Sequence, residues 1–152
     1  MTAKFCTVLT DASWCPHEHV AGWAVWIVCN NERYKRYDAF FEKVANAQEA
    51  EIKAIINGVH IAKRVFNPDH YHVVSDCTGA MTALQGKGTT KEWQNILTNI
   101  TGDAMVTFKH VRAHTKGNDK RSWVNNWCDF NAKLAMRSLR SISGGSNNVE
   151  KD

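Results

Sequence analysis

The apolar positions of this chain change period three times, and the changes outline its elements. From Phe5 to Thr10, and again over Ala21–Val28 and Tyr34–Phe41, the spacing is that of strands, with Asn30 and Asn31 as a turn between the second and third. Residues 46 to 64 switch to helical period, and Tyr71–Ser75 returns to strand. Thr78–Leu84 and Lys91–Ile100 read as helices around the breaker Gly86-Lys87-Gly88. A last strand over Ala104–Val111 precedes a final helix, whose Val124, Trp127, Cys128, Leu134 and Ala135 lie at core-like spacing. The order β-β-β-α-β-α-β-α predicts an α/β fold: a five-stranded mixed sheet, its first three strands an antiparallel meander, flanked by helices. No repeat or low-complexity block interrupts it.

Four acidic residues sit at telling places in this pattern. Asp11 and Asp76 each follow an apolar run, which puts them at the carboxyl edge of a buried strand, where open α/β sheets bind ligands. Asn46 is an N-cap with Glu49 as its capping-box partner three residues on, which leaves Glu51 to point elsewhere. Asp129 falls near the start of the last helix. Any one Asp after a strand is more often a turn former; four converging carboxylates are metal ligands first.

Composition narrows the partners. At 152 residues and 43% hydrophobic, the chain fills one core, and no linker divides it. A formal charge of +4 favours a polyanion such as nucleic acid, although the excess is modest and not gathered into one block. Five cysteines (Cys6, Cys15, Cys29, Cys77, Cys128) form an odd set without CxxC spacing, as reduced core thiols do, which predicts a cytoplasmic setting. The first residues lack a secretory h-region, and no apolar run approaches the roughly 18 residues of a membrane helix. Beyond Leu139 the chain turns polar and glycine-bearing, so residues 141–152 read as a frayed tail. No heptad run demands a dimer, and a monomer is expected.

The segments Leu9-Thr10-Asp11-Ala12-Ser13, Ala50-Glu51-Ile52-Lys53-Ala54-Ile55, Val73-Val74-Ser75-Asp76-Cys77, His110-Val111-Arg112-Ala113-His114-Thr115 and Asn125–Ala135 carry a further message. In their order and spacing, over nearly the whole chain, they resemble ribonuclease H type I. The resemblance implies a ribonuclease H domain over residues 1–140 and cleavage of the RNA strand of RNA–DNA hybrids, leaving 5′-phosphate and 3′-hydroxyl ends. It also implies that Asp11 bridges two Mg²⁺ ions, that Glu51 and Asp76 complete one and Asp129 the other, and that His114 relays a proton or helps product leave.

The chemistry of phosphodiester hydrolysis agrees. Two divalent ions about 3.5–4 Å apart can stabilise both the entering and the departing oxygen. Mg²⁺ takes few carboxylates and keeps waters, so four side chains suffice, and Mn²⁺ can substitute, whereas Cys and His select softer metals. Without metal the four carboxylates repel one another, and one or more should titrate high. Ser13, Trp14, Asn46 and Thr78 occupy places suited to substrate contact. The family sets a polar side chain like Asn46 near the DNA phosphate, at a helix start whose N–H groups favour an anion. Trp14 is the tryptophan nearest Asp11; Trp23, Trp26 and Trp127 read as packing.

Three features qualify this reading. Many bacterial members carry a basic, Trp-bearing protrusion after the third acid, but here only about thirty residues separate Asp76 from Val106; Lys87, Lys91 and Trp93 remain, and hybrid affinity should be modest and salt-sensitive. Lys109–Lys116 with Lys120 and Arg121 offers a second basic surface, or a solvated loop. Cys15-Pro16-His17-Glu18-His19 invites a zinc reading but lacks a second ligand pair. Rival functions are a same-fold nuclease acting on double-stranded RNA or structured DNA, and a hybrid-binding module without catalysis, which the intact acid set argues against.

Overall fold

The computed structural model describes residues 3–87, 91–111 and 120–143. Its elements run β1 (Phe5–Trp14), β2 (Ala21–Cys29), β3 (Glu32–Ala39), α1 (Ala47–Val65), β4 (His70–Ser75), α2 (Thr78–Leu84), α3 (Glu92–Thr101), β5 (Met105–His110) and α4 (Lys120–Ser143). The five strands form one mixed sheet in the order β3-β2-β1-β4-β5. β1, β2 and β3 pair antiparallel, while β4 lies parallel to both β1 and β5. The expected architecture is the observed one. α2 and α3 fill the short stretch between β4 and β5, and α4 continues to Ser143, past the point where a polar tail was expected to begin.

Two boundaries differ from the expectation, for reasons of pairing. Asp11 does not end its strand: β2 pairs with β1 from Cys6↔Cys29 through Trp14↔Ala21, with Asp11 opposite Ala24. On the other side, pairing to β4 stops at Leu9↔Val74. Asp11 thus sits in a continuous strand, just past the end of its parallel neighbour. β3 begins and ends two residues early because the Asn30-Asn31 turn lets pairing start at Cys29↔Glu32, with Asn30 in the left-handed region (φ 55°) that Asn tolerates. Phe40 then leaves the strand to pack beside Trp23 (ring centroids 6.4 Å), and Phe41 is fully exposed.

The two-residue alternation of the strands sends side chains into two cores. Cys6, Val8, Val25, Ile27, Tyr71 and Val73 meet Ile52, Ile55 and Val59 of α1 and Leu84 of α2. On the opposite face, Leu9, Ala24, Trp26 and Val74 meet Cys128 and Ala132 of α4. The buried residues of α4 include Cys128, Ala132, Ala135 and Met136; Leu134, expected in the core, is 42% exposed because it lies off that stripe. Among the described residues no helix is long and apolar enough to cross a membrane.

Two glycines set how closely the helices approach. A Cβ on Gly58 of α1 would stand 2.8 Å from Val8 Cγ1 and 2.9 Å from Thr10 Cγ2 on β1. A Cβ on Gly22 of β2 would meet the α4 backbone, at 2.5 Å from the Met136 nitrogen and closer still to the Ala132 carbonyl. Backbone cannot turn aside as a side chain can. Gly22→Ala is therefore expected to lower stability by about 1–3 kcal/mol or more, read as a fall in the urea unfolding midpoint; an unchanged midpoint would contradict this packing.

Candidate active site

Asp11, Glu51 and Asp76 converge from three elements. Each offers an oxygen, and these oxygens lie within 4.8 Å of one another. Asp11 is 3% exposed, and its Oδ1 accepts the Ala12 N–H at 2.9 Å. Asp76 directly follows β4, whose end is tied down: the Val111 N–H donates to the Ser75 carbonyl (3.0 Å), the Cys77 N–H to Ser75 Oγ (3.1 Å), and His110 Nε2 bonds the Asp76 carbonyl (3.2 Å).

The first turn of α1 separates its two glutamates by function. Asn46 Oδ1 accepts the Glu49 N–H (2.8 Å), and Glu49 Oε2 reaches back to the N–H of Ala45 (2.7 Å), one residue earlier than an ideal capping box. Glu51, two residues on, faces the sheet. Its Oε1 is buried and has no hydrogen-bond partner among the described residues. Such an acceptor is costly unless a ligand meets it.

Asp129 stands close to this group, and its charge is felt there, but its oxygens are not in the converged set. Its Oδ2 instead pairs with Lys133 Nζ at 3.1 Å, one helical turn away. The Cys128 thiol beside it donates to the Leu9 carbonyl (3.9 Å), fastening α4 to β1 two residues before Asp11. Sequence reasoning passed over Lys133, although its spacing of four from Asp129 was the signal.

Electrostatics follow from burial and crowding. Desolvation, then the negative charges of Asp76 and Asp129, push the Asp11 carboxyl up to about 8. Glu51 is raised further by the same burial and by Asp11 and Asp76, and their shared hydrogen bond favours the proton on Glu51. Burial also raises the Cys128 thiol, with Asp11, Asp129 and Asp76 adding to it, so that side chain stays a neutral neighbour. Hard oxygen donors, an orphaned buried carboxylate oxygen and repelling charges fit divalent cations of the Mg²⁺ kind.

The remaining expected residues are spread around this centre. Ser13 is half-buried on β1, two residues from Asp11 and so on the same face. The Trp14 indole N–H donates to the Val44 carbonyl (2.8 Å), and its ring meets His19 edge-on (5.4 Å). Asn46 is exposed while its Oδ1 caps α1, and Thr78 is exposed at the first residue of α2. His114, with Arg112 to Lys116, lies outside the described residues. Cys15 is buried beside Val20 and Met136, and it forms no three-ligand group with His17 and His19 among the described residues. A cavity of about 380 Å³ between β3 and α1, lined by Trp23, Arg36, Phe40, Lys53 and His60 among others, includes none of the four acids. The chemistry is at the open sheet edge, where a polymer can lie.

Residues 3–137 match the RNase H family, and the chain belongs to it. It is a ribonuclease with the fold of the type I enzymes. RNase H1 from the halophilic archaeon Halobacterium salinarum NRC-1 superimposes with a TM-score of 0.69 at 15% identity, over 88% of this chain and 98% of that one. The N-terminal RNase H domain of rv2228c from Mycobacterium tuberculosis, solved as a fusion with maltose-binding protein, gives 0.73 at 12% identity, over 93% and 99%. LC11-RNase H1 in complex with an RNA/DNA hybrid gives 0.70 at 15% identity, over 90% and 99%. A search of curated proteins found no match.

Two predictions follow from this geometry. Because Asp11 and Glu51 titrate high in the fold, the metal-free folded chain holds protons that the unfolded chain releases above a pH of about 4. That stability is complete below this pH and is lost as pH rises towards 8. Melting temperature in chelator should fall across this range, Mg²⁺ should restore it most at the alkaline end, and Asp11→Asn should flatten the fall, stabilising the metal-free protein by about 1–3 kcal/mol at pH 8. A pH-independent melting curve would contradict the crowding. Separately, Glu49→Ala should cost about 0.5–1 kcal/mol through the cap with activity largely kept, whereas Glu51→Gln should abolish activity with the fold intact; the reverse outcome would exchange their roles.

Proposed function

We propose that this chain hydrolyses the RNA strand of RNA–DNA hybrids with two divalent ions, Mg²⁺ by preference, leaving 5′-phosphate and 3′-hydroxyl ends. The observation that carries the reading is the convergence of Asp11, Glu51 and Asp76 at the edge of an RNase H sheet, with the charge of Asp129, itself paired with Lys133, acting on Asp11. The hybrid held by one solved relative supports the substrate class.

Asp11, Glu51 and Asp76 would hold one ion, and Asp11 with Asp129 the other. Bound divalent cations supply charge stabilisation for the entering and leaving oxygens of the phosphate. The protein's own part is to hold these carboxylates in place: the β1–β2 ladder holds Asp11, the Asn46 cap sets the start of the helix bearing Glu51, and the Ser75–Val111 and His110 contacts hold Asp76. His114 is read as the group that moves a proton to or from the leaving oxygen or helps product depart. Ser13, Trp14, Asn46 and Thr78 are read as substrate contacts. We read the enzyme as a cytoplasmic monomer, in keeping with its free, mostly buried cysteines.

The test is cleavage of an end-labelled hybrid beside duplex RNA, duplex DNA and single strands, with Mg²⁺, Mn²⁺ or chelator. Metal-dependent cutting of the hybrid's RNA strand alone, lost in Asp11→Asn and Asp76→Asn, is the expected result. Preferential cutting of another duplex would transfer the metal centre to a different substrate, and hybrid binding without turnover in either metal would revive a binding module.

A further inference from the structure

The uncovered end of the sheet carries a second convergence, far from the carboxylates. His70 and His72 occupy alternate positions on β4 and therefore share a face, and Thr107 lies directly opposite His72 on β5. His70 Nε2 and His72 Nδ1 each lie 2.7 Å from the same atom, Thr107 Oγ1. Two imidazole nitrogens thus aim at one point from a rigid strand. Phe5 of β1 fixes both rings, edge-on to His70 (centroids 4.5 Å) and stacked on His72 (5.8 Å). α4 lies over β1, β2 and β3, and here the face is reachable: both histidines and Thr107 are half-buried, and Met105 is 60% exposed.

We propose that His70 and His72, with the Thr107 hydroxyl beside them, form a second cation site, selective for a borderline transition-metal ion such as Zn²⁺ or Cu²⁺. Neutral imidazoles suit such ions, and Mg²⁺ prefers oxygen. The Thr107 hydroxyl joins the two imidazoles, donating to one and accepting the N–H of the other, and an ion bonding each nitrogen at about 2.0–2.1 Å would take over that bridging place. Solvent completes the coordination on the open side. β4 itself separates the two centres: His70 begins the strand and Asp76 follows it, which puts them roughly 20 Å apart at about 3.3 Å per residue. The same strand then holds a hard-ion site at one end and a softer one at the other. An ion at the histidine end binds the folded chain in preference to the unfolded one, so it should raise melting temperature by an amount that grows with the logarithm of the free ion concentration above its dissociation constant.

The test is calorimetric titration of Zn²⁺ into the whole protein in millimolar Mg²⁺, which occupies the carboxylates, beside His70→Gln, His72→Gln and Thr107→Val. The expected result is one Zn²⁺ equivalent in the parent, weakened at least about tenfold by either histidine change and less by Thr107→Val. The Zn²⁺-induced rise in melting temperature should be lost in the same two variants. Their melting temperature in Mg²⁺ alone, and their Mg²⁺-dependent nuclease activity, should match the parent, so a folding defect or an error in the nuclease assignment would be seen separately. Equal Zn²⁺ affinity in parent and both histidine variants, or no binding in the parent, overturns the site.

Discussion

Everything at the catalytic edge depends on two carboxyl groups, Asp11 and Glu51, being buried against each other. Burial alone disfavours their charges, and Asp76 and Asp129 add repulsion. A chain free to relax would separate them. The fold prevents this by fixing each on a different rigid element, and the tension is relieved when cations enter.

What holds the elements together is close packing on both faces of β1 and β2. Gly58 lets α1 settle onto Val8 and Thr10, which brings Glu51, two turns earlier on that helix, against the strand of Asp11. Gly22 lets α4 settle on β2 beneath Ala132, and Asp129 lies less than one turn before that contact. Either helix displaced outward by a methyl group would carry its carboxylate with it. Strand order adds the last element: because β4 ends at Ser75 while β1 runs on to Trp14, the space beside Asp11 is filled by Asp76 and not by another strand.

The sequence made the architecture legible because its periods are clean. The helix from 46, the strand ending at Ser75 and the convergence of Asp11, Glu51 and Asp76 were readable, whereas Asp129, expected near the start of the last helix, is the tenth residue of α4 and outside that group, and the Asn46–Glu49 pair told the capping glutamate from the one facing the sheet. Where reading fell short, the cause was pairing or packing that no local pattern contains. Nothing near Asp11 says that β2 would pair past it, and nothing in Ala39-Phe40-Phe41 says that a two-residue turn would end β3 before them. Leu134 reads as core by its spacing, yet the buried stripe of α4 runs through Ala135 beside it and leaves Leu134 at the surface. The indole N–H of Trp14 is engaged with Val44, a contact thirty residues away in sequence that local pattern does not reveal.

The fourth carboxylate differs from the other three in a way that bears on assembly of the centre. Asp11 and Glu51 are enclosed, and Asp76 is fixed by the end of its strand, but Asp129 is partly exposed and engaged with Lys133, itself 42% exposed. A solvated pair four residues apart on a helix is worth only about 0.3–0.5 kcal/mol. Turning Asp129 towards the cluster therefore gives up little, while bringing a fourth negative charge beside Asp11 in the absence of cations would cost more. Mutual repulsion with Asp11, more than this weak ion pair, disfavours that approach in the metal-free chain.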